Sequence, residues 1–177
     1  ARQSALRVLA KDDVDRFSEA QAWNTLCAVE LSAPQESQAA LACDKALELD
    51  EAAQNTREEL STVTLTNAAE VALSRLRIDQ AERLIDRATR YPNPSSVSNP
   101  WIQKLYLTLA QGRFDNAQSA LEQMLVWRNR QDPLIGVSNR AEHFLASATF
   151  LLLAGYTEEA ARLAESALNQ PDRNGNF

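Results

Sequence analysis

One pattern recurs four times along the chain: a large residue is followed, sixteen positions later, by an alanine. The four pairs are Trp23 with Ala39, Leu65 with Ala81, Trp101 with Ala117, and Phe144 with Ala160. Three of the four large residues are aromatic, although only 11 aromatic residues occur among 177, so chance is a poor explanation. An internal repeat at this spacing predicts one supersecondary unit built several times and stacked on itself.

The composition indicates that these units are helical. The chain has 29 Ala and 24 Leu against 12 Val and Ile together, and Ala and Leu lose little conformational freedom in a helix. Only four glycines are available for hairpin turns or phosphate-binding loops, both of which need unusual backbone conformations. We therefore expect neither an all-β fold nor a nucleotide-dependent enzyme.

Apolar periodicity, interrupted by proline and glycine, predicts nine helices. The breakers are Pro34, Pro92-Asn-Pro94, Asn99-Pro100, and Asp132-Pro133 with Gly136. The predicted helices span 3–11, 14–31, 36–50, 56–75, 78–91, 99–111, 114–130, 139–154 and 157–170. The repeat units are 14–50, 56–91, 99–130 and 139–170, with a tail at 171–177, in one domain that spans 1–177.

The first unit reads Trp23-Asn-Thr-Leu26-Cys27, and this spacing resembles the tetratricopeptide repeat, whose first helix carries W-x₂-L-G-x₂-Y and whose second carries spaced alanines. The resemblance covers residues 15–171 and implies an all-α solenoid, a superhelix of about four antiparallel helix pairs with a short extra N-terminal helix. Spacings of 42, 36 and 43 residues between the repeated alanines exceed the ~34 of the family. Lys104 and Leu105 also depart from the motif, so HEAT-like helix pairs are the structural alternative.

No sequence signature of catalysis, metal binding or cofactor binding is present. The phosphate-binding, dinucleotide-binding, nucleophile-elbow and zinc-protease motifs are all missing. His143 is the single histidine, and together with Cys27 and Cys43 it supplies too few ligands for a structural zinc site. We expect a protein that is not an enzyme and needs no cofactor.

The charge and hydropathy of the chain exclude two classes of partner. A net charge of −6 gives no overall attraction to phosphate, so we expect no nucleic-acid binding. The most apolar stretch, Ala148 to Ala154, is far shorter than a membrane span, so none is expected. The chain starts at Ala1 rather than Met, which fits either a mature protein after removal of a signal peptide or a fragment.

The two cysteines are placed symmetrically about the first predicted turn. Cys27 lies eight residues before residue 35 and Cys43 eight residues after it, so antiparallel helices would bring them level. We predict a disulfide, and the alternative is a pair of buried free thiols. A disulfide favours an exported, periplasmic location over the cytoplasm. The segments "LC" and "ACDKAL" also bear a faint resemblance to exported bacterial tetratricopeptide proteins.

The resemblance implies that the first helices line a concave groove that binds a peptide or helix of a partner protein. The candidate groove residues are Asn24, Thr66, Asn67, Glu70, Ile102, Tyr106, Leu145, Thr149 and Leu152. The cations with which related domains clamp a terminal carboxylate are missing from this set, so we expect a neutral to apolar partner. A cytosolic secretion chaperone and a structural module of a larger enzyme or envelope assembly are the alternative functions.

The fourth unit carries more leucines than its own helix pair requires. Leu145, Leu152 and Leu153 fall outside the stripe that should face the paired helix. We expect them to form an attachment point for a partner, for more of the chain or for a second copy through this C-terminal unit. The alternative is that neighbouring helices cover them.

Overall fold

The computed structural model describes residues 1–31, 36–53, 62–90, 98–130 and 140–169. Regular structure in these ranges is entirely helical, which confirms the predicted all-α class. The helices are α1 (Arg2–Leu9), α2 (Arg16–Leu31), α3 (Glu36–Ala53), α4 (Thr62–Ser74), α5 (Ile78–Arg90), α6 (Pro100–Ala110), α7 (Phe114–Arg130), α8 (Arg140–Leu153) and α9 (Thr157–Leu168). The predicted breaks at Pro34, Pro92–Pro94 and Pro133–Gly136, and the tail at 171–177, lie outside the described residues.

Most helix boundaries lie within a few residues of the predicted ones, and the predicted start of the fourth helix at residue 56 lies outside the described residues. The second helix begins at Arg16 rather than at residue 14 because Asp15 caps it: the Ser18 amide donates to Asp15 Oδ1 at 3.0 Å, and the Ser18 hydroxyl donates to Oδ2 at 2.6 Å. Asn99 caps α6 in a related way, since its Oδ1 accepts from the Trp101 amide next to Pro100.

One turn structure closes α4, α6 and α8. In each, an amide bonds three residues back and the next amide bonds five residues back, at N···O distances of 2.8–3.1 Å, which is a Schellman motif. The residue in the left-handed conformation is Gly112 after α6 and Gly155 after α8, but Leu76 after α4, where φ is 56°. Each turn is followed, five residues on, by a buried alanine: Ala81, Ala117 or Ala160. The structure thus repeats with the register of the sequence pattern.

The chain divides into two compact units, Ala1–Tyr91 and Pro92–Phe177. In unit 1, α2 packs against α1, α3 and α4, while α4 also packs against α3 and α5. In unit 2, α6 pairs with α7, α8 pairs with α9, and α8 also contacts α6 and α7. Consecutive helices therefore contact one another as in a solenoid-like fold, and the continuous four-pair superhelix in a single domain stays a prediction.

The interiors of the two units differ in the size of their side chains. Unit 1 is packed mostly with alanines, including Ala39, Ala69 and Ala81, which allow helix backbones to approach closely. Unit 2 contains a cluster of Ile102, Leu105 and Met124 with smaller buried residues. Half-buried side chains pack against that cluster, namely Trp101, Tyr106, Leu109, Leu121, Leu125 and Phe150. Among the described helices, none has the length and apolarity needed to span a membrane.

Candidate functional site

An apolar surface lies on the outer side of α8, and we call it the outer leucine face, consisting of Leu145, Thr149, Leu152 and Leu153. The three leucine residues are 46%, 55% and 54% exposed. The Thr149 hydroxyl donates to the Leu145 carbonyl oxygen at 2.9 Å, so this polar group is engaged within the helix itself. Leu145, Leu152 and Leu153, which the repeat pattern does not assign to the interface with the paired helix, are therefore exposed in the structure.

The opposite side of α8 holds this face in place. His143 and Ala146 are fully buried, Ala146 belongs to the central cluster of unit 2, and Phe150 packs against it. These three residues recur at intervals of three and four, so they form one stripe of the helix. A helix that is anchored along one stripe presents its other side in a fixed orientation, which reduces the entropy cost of binding a partner.

Other members of the predicted groove lie in the interior of their units. Asn67 Nδ2 donates to Asn24 Oδ1 at 3.0 Å, which connects α4 with α2 in a buried position. The Thr66 hydroxyl donates to the Thr62 carbonyl oxygen, and Ile102 lies in the central cluster of unit 2. These four groove candidates therefore contribute to packing, and their polar atoms have partners inside the unit.

Two further groove candidates lie nearer the surface. Glu70 is exposed on α4, and Tyr106 is half-buried where it packs against the central cluster of unit 2. Together with Leu145, Thr149 and Leu152, they are the members of the predicted set that a partner could reach directly. The binding role of the whole set stays a prediction.

Cys27 and Cys43 form a disulfide in the structure, with their Cα atoms 4.9 Å apart. The two residues are 1% and 2% exposed, and they join α2 to α3. The chain has no other cysteine. The structure therefore places the two cysteines at disulfide distance within unit 1, as the symmetric spacing predicts.

His143 has a role that sequence reasoning did not identify. It is 1% exposed, and its Nε2 lies 2.8 Å from Asn99 Nδ2, which also donates to the Met124 carbonyl oxygen at 3.1 Å. Because Asn99 Oδ1 already accepts from Trp101, the amide nitrogen faces the imidazole and His143 Nε2 must accept. The histidine thus helps to join α6, α7 and α8 through Asn99.

A second polar contact, which is partly buried, was also missed by sequence reasoning. Glu30 of α2 is nearly covered, and its Oε1 accepts from Arg2 Nε of α1 at 2.8 Å. This contact fixes the N-terminal helix on unit 1. The two residues are 28 positions apart, and no local pattern of charge pairs them.

Among the described residues, no three His, Cys, Asp or Glu side chains gather where they could hold a metal ion. The resemblance to the tetratricopeptide repeat stays a prediction from the residue pattern. In comparisons with known proteins, no family model matches the chain, and no curated protein matches it significantly.

Proposed function

We propose that this chain is a non-catalytic interaction scaffold of the tetratricopeptide type, which binds a peptide or helix of a partner protein. The observation that carries the proposal is the outer leucine face of α8. Contiguous apolar side chains are rarely left exposed on a soluble protein unless they contact something. Full burial of an exposed leucine side chain contributes about 1.5–3 kcal/mol, and these three are 46–55% exposed, so covering all three can drive a modest association.

The chemistry of the face defines the kind of partner. Leu145 and Leu152 are seven residues apart, which is two helical turns, and Thr149 lies between them. An apolar stripe of this length suits an amphipathic helix or a short peptide with apolar side chains at matching intervals. The neutral to apolar partner expected from the sequence fits this surface.

The disulfide supports an oxidising location for this function, of the kind that the bacterial periplasm provides. Cytosolic reductants keep most protein thiols reduced, and a buried disulfide that joins two helices is typical of exported proteins. The cytosolic secretion chaperone is the less favoured alternative for the same reason.

Peptide selection tests the proposal without a known partner. Helical peptides selected from a display library against the wild-type protein are titrated by calorimetry against wild type and against the double variant Leu145→Ser/Leu152→Ser. We expect the dissociation constant to rise at least tenfold in the double variant, since two apolar contacts are lost. The circular dichroism spectrum should stay unchanged.

The matched control is Leu168→Ser, because Leu168 is 84% exposed on α9 and lies outside the outer leucine face. This variant should bind the selected peptides as wild type does. Equal affinity for wild type and the double variant would contradict the proposal. Unfolding of the double variant would show that the leucines belong to the core.

A further inference from the structure

Leu76 occupies a turn position at which the other two turns of the same kind have glycine, and nothing in the packing of its side chain explains why leucine stands there. The equivalent residues in the two other Schellman turns are Gly112 and Gly155, and glycine adopts the left-handed conformation without strain. Among the described residues, Leu76 is the one non-glycine residue with positive φ, and this conformation is unfavourable for a residue with a Cβ atom. Strained residues of this kind cluster at functional sites.

Burial does not offset this strain. The Leu76 side chain is 81% exposed, so it gains almost nothing from packing within its own chain. At Gly112 and Gly155, an added Cβ would meet no atom within 4 Å, so space alone does not explain the difference between leucine and glycine at this position. A leucine that is both strained and exposed points to a contact outside the chain.

The surroundings of Leu76 indicate the charge of that contact. Leu76 borders a shallow depression at the start of α5, which is lined by Arg77, Ile78, Asp79, Gln80 and Arg83. Both arginines are exposed, and residues 75–83 carry three arginines against two acidic residues. The complement of this turn is an apolar surface with carboxylates beside it.

The α8–α9 hairpin of unit 2 offers such a surface. Residues 140–169 contain four glutamates and two arginines, and all four glutamates are exposed. Glu142 lies one turn before Leu145 on α8, and Glu158 and Glu159 follow the turn just after Leu153. The outer leucine face therefore has carboxylates at both ends.

We propose that Leu76 of one copy docks on the outer leucine face of a second copy, with Arg77 and Arg83 beside the second copy's glutamates. This inference rests on the proposed function, since it names the occupant of the same face. The two surfaces belong to different units, so the contact is heterologous: each copy that uses one surface retains the other. Self-association then proceeds head to tail.

The test measures the mass of the full chain by sedimentation velocity, from micromolar to millimolar concentration. Wild type should form concentration-dependent oligomers that weaken at high salt, because exposed charges contribute. Leu76→Gly should raise the melting temperature, because the turn then carries glycine, and should weaken association roughly tenfold or more. A purely structural Leu76 would change the melting temperature and leave association unchanged.

Mixing two variants identifies the surfaces that meet. Leu76→Gly keeps only the outer leucine face, and Leu145→Ser/Leu152→Ser keeps only the Leu76 turn, so each alone should be monomeric. Their equimolar mixture should form a 1:1 dimer that grows no further, while Leu168→Ser should associate as wild type does. A monomeric wild type, a monomeric mixture, or self-association that survives Leu76→Gly would each overturn the inference.

The peptide titration separates this inference from the proposed function. If the copies stay monomeric but the selected peptides still require Leu145 and Leu152, only the self-association is wrong. If neither peptides nor copies depend on these leucines, both proposals fail. If both are correct, a selected peptide should compete with self-association of the wild-type protein, because the two share one face.

Discussion

Unit 1 and unit 2 hold their helices together by different chemistry. In unit 1, small residues bring the helices close, and two specific links are added: the Cys27–Cys43 disulfide and the buried Asn24–Asn67 hydrogen bond. In unit 2, larger side chains such as Leu105 and Met124 fill the interior, and its sequence contains no cysteine. The same repeat register therefore supports two ways of stabilising a helix pair.

The difference shows what alanine packing lacks. Alanine loses no side-chain entropy on burial, but each one removes little apolar area from water. A unit that depends on alanine gains close helix contacts with a modest hydrophobic contribution. In unit 1 the disulfide adds a covalent link between two helices, which unit 2 lacks.

Removing the disulfide should have the largest effect and should act on unit 1. Replacing Cys27 and Cys43 by alanine should cost about 3 kcal/mol, because the bond closes a loop of about 15 residues and restricts the unfolded chain. Hydrogen exchange followed by mass spectrometry should show faster exchange in α2 and α3. The helices α6 to α9 should exchange at unchanged rates.

Intact mass after alkylation without reductant checks the same bond directly. Protein isolated from an oxidising compartment should carry no alkylated thiol. Two alkylated thiols in freshly isolated protein would contradict the exported location and favour a cytosolic chaperone. Faster exchange spread evenly over both units would show that the units do not differ in the way described.

Removing Asn99 is the corresponding change in unit 2. Asn99→Ala deletes the cap of α6, removes the buried hydrogen bond to the Met124 carbonyl and leaves the buried His143 Nε2 without Asn99, so the free energy of unfolding should fall by about 2–3 kcal/mol. Chemical denaturation measures the loss. Asn99→Ser should recover only the part due to the cap, since serine can accept from Trp101 but does not replace the amide donor.

The control for Asn99 is Asn169→Ala, at the exposed end of α9, which should be nearly neutral. If Asn99→Ala were equally neutral, the buried polar network would not contribute to unit 2. The comparison between the units would then reduce to the size of their side chains.

The repeated alanines provide a test that applies to both units. Ala81→Leu in unit 1 and Ala160→Leu in unit 2 should each lower stability by about 1–3 kcal/mol through overpacking, as measured by thermal melting. Ala161→Leu is the matched control because Ala161 is exposed. If Ala160→Leu and Ala161→Leu melted alike, the repeat register would be incorrect.

The smallest effect concerns the cap of α2. Hydrogen bonds from the Ser18 hydroxyl and amide lower the pKa of Asp15 from its ordinary value. A lowered folded-state pKa contributes stability above the ordinary value, and that contribution is lost as pH falls through the folded-state pKa. Asp15→Asn keeps a capping side chain that does not titrate, so it should lose slightly less stability than wild type between neutral pH and about pH 3. Melting temperatures across that range check it, and identical profiles would contradict it.

The sequence predicts much of the architecture because its signals are local. Gly112 and Gly155 mark two of the described turns, Pro100 begins α6, and α7 spans Phe114–Arg130 as the periodicity indicates. The disulfide was predictable because two residues placed evenly about a short turn must become level when the chain reverses.

Contacts between different helix pairs could not be predicted from these local signals. Periodicity shows which face of α2 points away from α3, but it does not show that α4 covers part of that face, and Asn24 and Asn67 became groove candidates for this reason. Asn99 and His143 are 44 residues apart, and their hydrogen bond depends on how two pairs stack. The exposed leucines of α8 were predictable because the repeat pattern already assigns other residues of this helix to the interface with its paired helix.

The position of His143 gives the protein a built-in spectroscopic label. It is the one histidine in the chain, it is buried, and its Nε2 accepts a hydrogen bond from Asn99. In an NMR spectrum its ring protons should therefore appear as a single resolved pair. Because His143 contacts three helices of unit 2 through Asn99 and its own helix, these signals would follow the folding of that unit alone, without any added dye or isotope-edited side chain.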